Sequence, residues 1–173
     1  MKKISALALA AVLVLSLVGC RGGGEDDLAF LRRPARITFR PDGTELSLVL
    51  ETVLTDGRIA PASLAVTLPE TLFGITFRFS GDPVTVTATT EHLSIPLSDG
   101  AGAWLLRWGE MFLFSKADVL TDTPGEGGRE ITASAAGGAV TVLLSAETGL
   151  PVHVTLDAGG VTLGAAVEWE AAG

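Results

Sequence analysis

The chain has 173 residues with 20 acidic and 12 basic side chains, which give a formal net charge of −8. An acidic chain of this kind lacks the positive surface that binds nucleic acid, so we expect no nucleic-acid partner. It has one cysteine, which excludes an intramolecular disulfide framework. Burial of apolar side chains must therefore stabilise the fold.

The N-terminal segment predicts a secretory leader. Lys2 and Lys3 precede an apolar run over residues 4–18 that is interrupted only by two serines. This run is too short for a comfortable membrane span and has the length of a signal-peptide core. It ends in Leu17-Val18-Gly19-Cys20, which resembles the lipobox of bacterial lipoproteins. The alternatives are a secretory signal that is cut elsewhere and a retained membrane helix.

The lipobox resemblance implies cleavage before Cys20 and attachment of lipid, with acyl chains such as palmitate, to that residue. It divides the chain into a lipoprotein signal peptide (1–19), a lipidated Cys with a flexible tether (20–27) and a single domain (28–173). The expected location is the extracytoplasmic cell envelope. The anchor lies in the cell membrane of a Gram-positive organism, or in the outer membrane of a Gram-negative one.

From residue 35 onward the sequence alternates between apolar and polar residues, which is the pattern of half-buried β-strands. Short glycine-rich turns such as Gly137-Gly138 favour antiparallel pairing of sequential neighbours. Pro96 indicates a sheet edge or a strand end, and residues 122–128 are predicted to form a loop. The predicted strands cover 35–40, 45–54, 59–68, 75–79, 84–88, 93–97, 129–136, 139–146, 150–157 and 161–170.

One segment between Ser98 and Lys116 predicts an apolar helix. Large apolar side chains recur there at helical spacing, namely Trp104, Leu105, Trp108, Met111 and Phe112. Shorter helical turns are predicted at Asp27–Arg32 and from Pro69 to Leu72.

A sheet of about nine strands with one apolar helix favours a mainly β fold. We expect a curved antiparallel sheet, or incomplete β-barrel, with the helix across its concave face. Small residues on the later strands (Ala133, Ala135 and Ala165) leave room for the helix.

This arrangement resembles the LolA/LolB-like lipoprotein carriers, whose incomplete barrel and covering helices enclose a hydrophobic cavity. Two stretches also resemble uncharacterised lipoproteins of Gram-positive gut bacteria: Pro69-Glu70-Thr71-Leu72-Phe73-Gly74-Ile75-Thr76-Phe77 and Glu147-Thr148-Gly149-Leu150-Pro151-Val152. The resemblance implies a membrane-anchored lipoprotein that binds a lipid or another apolar ligand. The alternative is a structural or envelope-sensing lipoprotein with a packed core and an envelope protein partner.

The candidate apolar-ligand pocket combines inner-face strand residues with the predicted helix: Leu48, Phe77, Phe79, Val86, Leu144, Trp104, Trp108 and Phe112. The same helix side chains are also consistent with ordinary core packing or with a protein-docking patch. His92 and His153 lack the spacing of a metal site and are expected at the surface. A serine, His153 and Asp157 supply the residue types of a catalytic triad, but the sequence has no Gly-x-Ser-x-Gly nucleophile elbow. We therefore expect no catalytic residue, no metal, no cofactor and no enzymatic activity.

Overall fold

The computed structural model describes residues 25–81, 84–97, 99–125 and 127–171. The signal peptide, Cys20 and residues 21–24 of the predicted tether lie outside the described residues. The first described element is a 3-10 helix at Glu25–Arg32, which contains the turn that the sequence predicts at Asp27–Arg32. It therefore begins within the last three residues of the predicted tether.

Eleven antiparallel strands form one sheet in the order β6-β5-β4-β3-β2-β1-β11-β10-β9-β8-β7. The mainly β class is confirmed, and the sheet is curved but not closed into a barrel. The strands are β1 (Ala35–Pro41), β2 (Ser47–Thr55), β3 (Arg58–Leu68), β4 (Thr76–Ser80), β5 (Thr85–Thr89), β6 (Ser94–Pro96), β7 (Val119–Gly125), β8 (Gly128–Ala135), β9 (Gly138–Ser145), β10 (Pro151–Ala158) and β11 (Val161–Ala171).

Sequential strands pair with one another, as predicted, except β6 and β7, which lie at opposite edges of the sheet. At the centre β1 pairs with β11, and Ile37 lies opposite Trp169 while Phe39 lies opposite Val167. The first and last strands are thus the middle of the sheet, and the two meanders extend outward from them. This long-range pairing joins the two meanders into one sheet.

Strand β7 corrects the prediction of a loop at residues 122–128. Its residues up to Gly125 continue the ladder with β8. Pro124 lowers the strand propensity of this run, but β7 is an edge strand, where proline is tolerated because no outer neighbour needs its N–H group. Pro96 likewise lies in an edge strand, β6, as the sequence predicts.

The apolar positions of the strands lie on one face of the sheet and form its core. Ile37, Phe39, Leu50, Leu64 and Leu156 are completely shielded from solvent. Burial of such side chains stabilises the fold by about 1.5–3 kcal/mol each. The alternation predicts this face because successive strand residues point to opposite sides of a sheet.

The predicted helix is present as α1 (Asp99–Glu110), and it packs against β3 and β5. It ends before Met111 and Phe112, which the sequence assigns to it; Gly109, a poor helix former, lies beside its last residue. Two further 3-10 helices occur at Glu70–Leu72, where the sequence predicts a turn, and at Lys116–Asp118. Ala133 and Ala165 are buried on β8 and β11, away from the two strands that contact α1, so that these small residues make room for the helix stays a prediction.

Candidate functional site

A chain of aromatic contacts fixes α1 and the segment after it to the sheet. Phe39 on β1 contacts the Trp108 ring edge-to-face at 5.5 Å and stacks on Phe112 at 5.8 Å. Phe112 in turn meets Trp169 of β11 edge-to-face at 5.2 Å, and Trp169 meets Phe30 of the first 3-10 helix at the same distance. Such pairs contribute about 0.5–1.5 kcal/mol beyond the area they bury.

The structure places most of the predicted pocket residues in the packed core. Leu48, Phe79, Val86, Leu144 and Phe112 are buried, and Phe77 and Trp108 pack against them while partly exposed. Trp104 is 37% exposed and lies under the Arg107 guanidinium, 5.1 Å from its carbon. Only Phe112 among these eight residues also lines the larger cavity described next, and contact of the others with a ligand stays a prediction.

A cavity of about 960 Å³ is lined by described residues. Its apolar lining comes from separate parts of the chain: Leu28 and Leu31 of the first 3-10 helix, Leu54 and Ile59 of the β2–β3 hairpin, Phe112, Leu113 and Phe114 after α1, Val119 of β7 and Ile131 of β8. Strands β3 and β8 lie far apart in the sheet order. Their presence in one lining shows how strongly the sheet curves.

The cavity lies at one end of the curved sheet, and α1 reaches the other end. The Arg107 guanidinium lies about 4 Å from the points that a Cβ atom would occupy at Gly137 and Gly159, which belong to the β8–β9 and β10–β11 turns. Because hairpin turns alternate between the two ends of an antiparallel meander, the β2–β3 and β7–β8 turns lie at the opposite end. That is the end where Arg58 and Arg129 line the cavity.

Charged side chains surround the apolar lining. Those that line the cavity are four cations (Arg32, Arg58, Lys116 and Arg129) and two anions (Asp118 and Asp122), so the described lining carries a formal charge of +2. The protein as a whole has a net charge of −8. Among the described lining residues, cations thus outnumber anions.

The two lining carboxylates are both held by local partners. Arg129 donates two hydrogen bonds to Asp122, one of them from Nε to Oδ1 at 2.6 Å, and this bonding lowers the pKa of the Asp122 carboxyl. Asp118 accepts hydrogen bonds from the backbone N–H and the hydroxyl of Ser115, both at 2.7 Å, which lowers its pKa. Both groups thus remain ionised and fixed at neutral pH.

The contact between Ser115 and Asp118 is a capping box, because the Ser115 hydroxyl also accepts from the N–H of Ala117 at 3.3 Å. It orders the 3-10 helix at Lys116–Asp118 directly after the apolar run Phe112–Phe114. The capping box thereby holds Lys116 on the cavity lining.

Sequence reasoning finds Phe112 but not the cavity around it. The available signals are the capping pattern at Ser115 and Asp118, and the i, i+3 spacing of Leu28 and Leu31 in a short helical turn. Both signals indicate local structure only. The cavity forms where four distant parts of the chain meet, and no local pattern reports that meeting.

The two histidines are separate from the cavity. The His153 ring lies 3.0 Å from the Asp42 carboxylate, which arrives from the turn after β1, so its acidic neighbour is Asp42 and not Asp157. His92 is highly exposed and lies 3.8 Å from Glu91. Among the described residues, no group of three or more His, Cys, Asp or Glu side chains is arranged to hold a metal ion. No described helix is long and apolar enough to cross a membrane.

No protein-family model and no curated protein matches this chain. Among solved structures, the chain is similar to a DUF1329 family protein from Desulfovibrio piger, with a TM-score of 0.39 and 8% sequence identity. The similarity covers 85% of this chain and 90% of that protein. At this level of similarity it carries no information about the function of the present chain.

Proposed function

We propose that this protein is a membrane-anchored lipoprotein of the cell envelope that binds a lipid or another apolar ligand in the cavity at the end of its curved sheet. The observation that carries the proposal is the cavity of about 960 Å³, whose lining includes nine apolar side chains. Its volume lies within the range of roughly 300–1,000 Å³ typical of small-molecule sites.

Half-buried apolar side chains support an acyl chain as the ligand. Leu28, Leu31 and Leu113 line the cavity and are half-buried, whereas Phe112 and Ile131 are almost completely covered by protein atoms and offer a ligand little surface. Leu54 also lines the cavity and is 58% exposed. An apolar chain that lies against these leucines would be partly removed from water, at a gain of about 0.8 kcal/mol for each buried methylene.

The path of the chain supports a mouth that lies near the membrane. Leu28 lines the cavity, and the first 3-10 helix leads into β1 at the same end of the sheet. Cys20 precedes Leu28 by eight residues, which span at most about 29 Å when fully extended. A lipid on Cys20 would therefore keep the cavity mouth close to the bilayer from which an apolar ligand comes.

A structural or envelope-sensing role with a protein partner is the second candidate. The observation that favours it is a group of exposed apolar side chains around the β3–β4 connection: Leu68, Leu72 and Phe73, of which Phe73 is 70% exposed. Exposed apolar patches on soluble domains mark interaction sites. This group is separate from the residues that line the cavity.

The binding proposal is tested with 9,10-dibromostearic acid, whose bromine atoms quench tryptophan fluorescence at close range. Trp169 lies 5.2 Å from Phe112, so a bromine in the cavity comes near its indole. We expect saturable quenching of the full-length chain in a non-ionic detergent. A Trp169→Phe variant should lose most of the quenched signal.

A matched pair of variants tests where the ligand binds. Leu54 and Leu93 are 58% and 56% exposed, but only Leu54 lines the cavity. We expect Leu54→Glu to weaken binding at least tenfold and Leu93→Glu to leave it unchanged, because a carboxylate at the mouth repels both the apolar chain and its acid group. Equal effects of the two substitutions, or no saturable quenching, would refute the binding proposal.

A further inference from the structure

We infer that the ligand is an amphiphile with an anionic head group, and that Arg58 holds this head group at the mouth of the cavity. The inference rests on the proposed function, since it assigns the chemical class of the ligand for that same site. Three observations carry it: the position of Arg58, the ion pairs and hydrogen bonds of the lining carboxylates, and the presence of charged and apolar side chains in one lining.

The β2–β3 turn fixes the position of Arg58. Asp56 and Gly57 have φ values of 50° and 76°, and two consecutive positive φ angles are characteristic of a type I′ hairpin turn. Arg58 is the first residue of β3 and pairs with Thr55 across the hairpin. Its side chain is therefore carried by an ordered hairpin, and both Gly57 and Arg58 line the cavity.

The charges of the lining favour an anion over a cation or a neutral group. Asp122 is already engaged by Arg129, and Asp118 by Ser115. Arg58 has no ion pair with any residue that the structure describes. An incoming carboxylate or phosphate oxygen thus meets a guanidinium that is able to donate two parallel hydrogen bonds to it.

The cavity lining combines charged and apolar side chains. Arg58 is exposed, whereas Leu28, Leu31 and Leu113 are half-buried. A molecule with a charged end and an apolar body can contact both kinds of side chain. A free inorganic anion would leave the leucines uncovered, and a neutral hydrocarbon would form no charged hydrogen bond with Arg58.

The experiment compares two ligands with the same brominated chain and different heads, 9,10-dibromostearic acid and 9,10-dibromo-octadecanol. Tryptophan quenching of the full-length chain reports both. The variants are Arg58→Gln and, as the control, Arg78→Gln, an exposed arginine of β4 outside this cavity. Phosphate is added in a third arm, at an ionic strength matched with chloride.

We expect the acid to bind more tightly than the alcohol. Arg58→Gln should lower the affinity for the acid about threefold to tenfold, which is the effect expected from loss of a charged hydrogen bond that is partly open to solvent. The alcohol should be unaffected, and Arg78→Gln should change neither ligand. Phosphate should not displace the acid beyond the effect of chloride.

The outcomes separate this inference from the proposed function. Equal affinity for acid and alcohol, with no specific effect of Arg58→Gln, would overturn the anionic head group and leave an apolar cavity intact. Displacement by phosphate alone would show that the site takes a free anion, which also overturns the inference. Failure of both brominated ligands to bind would refute the proposed function itself.

Discussion

Substitution of Gly109 by alanine tests how closely α1 is fitted to the sheet. A Cβ atom at Gly109 would lie 3.0 Å from Cβ of Pro61 and 3.2 Å from Cζ of Phe79. The proline ring is held in β3, and Phe79 is buried. Both contacts are tighter than ordinary van der Waals contact, so each neighbour has to shift by a few tenths of an ångström, and we expect an overpacking cost of about 1–3 kcal/mol. The gain in helix propensity, about 0.8–1 kcal/mol, offsets only part of it.

Gly102 provides the matched control in the same helix. It is also buried, but a Cβ atom there would lie no closer than 3.5 Å to its nearest neighbour, the carbonyl oxygen of Leu97. Gly102→Ala should therefore stabilise the protein by up to about 1 kcal/mol. Because both substitutions gain helix propensity, the difference between them measures the overpacking at Gly109.

Thermal unfolding of the full-length chain followed by circular dichroism gives that difference. For a domain of this size, 1 kcal/mol corresponds to roughly 2–4 °C. We expect Gly109→Ala to melt about 2–12 °C below Gly102→Ala. Equal melting temperatures of the two variants would refute close packing of α1 against β3.

Thr52→Val should lower the free energy of unfolding in urea by about 1–3 kcal/mol, because the buried Thr52 hydroxyl accepts a hydrogen bond from the N–H of Ala35 and donates one to its carbonyl. Thr52→Ser keeps a hydroxyl and should lose much less stability. An unchanged free energy of unfolding in Thr52→Val would contradict these hydrogen bonds. Burial raises the pKa of Glu110, so stability falls as pH rises through its pKa. Glu110→Gln should be the more stable form at neutral pH and equal wild type in acid. Arg129 lowers the pKa of Asp122, so the stability that this ion pair gives the folded protein is lost as the pH falls through that pKa. Asp122→Asn should cost up to about 1 kcal/mol at neutral pH and nothing in strong acid; a cost independent of pH would argue against the ion pair.

The parts of the fold that depend on one-sided burial could be predicted from the sequence. Alternation identifies strands where the sheet has a buried face and a more exposed face, as in β9, whose Val140, Val142 and Leu144 are buried. The helix is predictable for a similar reason, since Trp104 and Trp108 recur at helical spacing. Trp108 contacts Phe39 in the structure.

The parts that depend on long-range contacts could not be predicted. Pairing of β1 with β11 joins residues more than 120 positions apart, such as Phe39 and Val167, and no local pattern encodes it. The same holds for His153, for which Asp157 is the obvious partner in sequence. His153 and Asp157 are four residue steps apart along β10, a distance of about 13 Å, whereas Asp42 reaches the ring from the turn after β1.

The central claim is that the cavity at the end of the sheet holds an apolar chain, and the most direct test is to locate one there. A crystal structure of the full-length chain with 9,10-dibromostearic acid, with data collected at the bromine absorption edge, shows where the bromine atoms lie. We predict anomalous density in the cavity beside Leu31 and Leu113, with the carboxylate toward Arg58. Bromine density confined to the exposed apolar residues near Phe73, or none in the cavity, would contradict the claim.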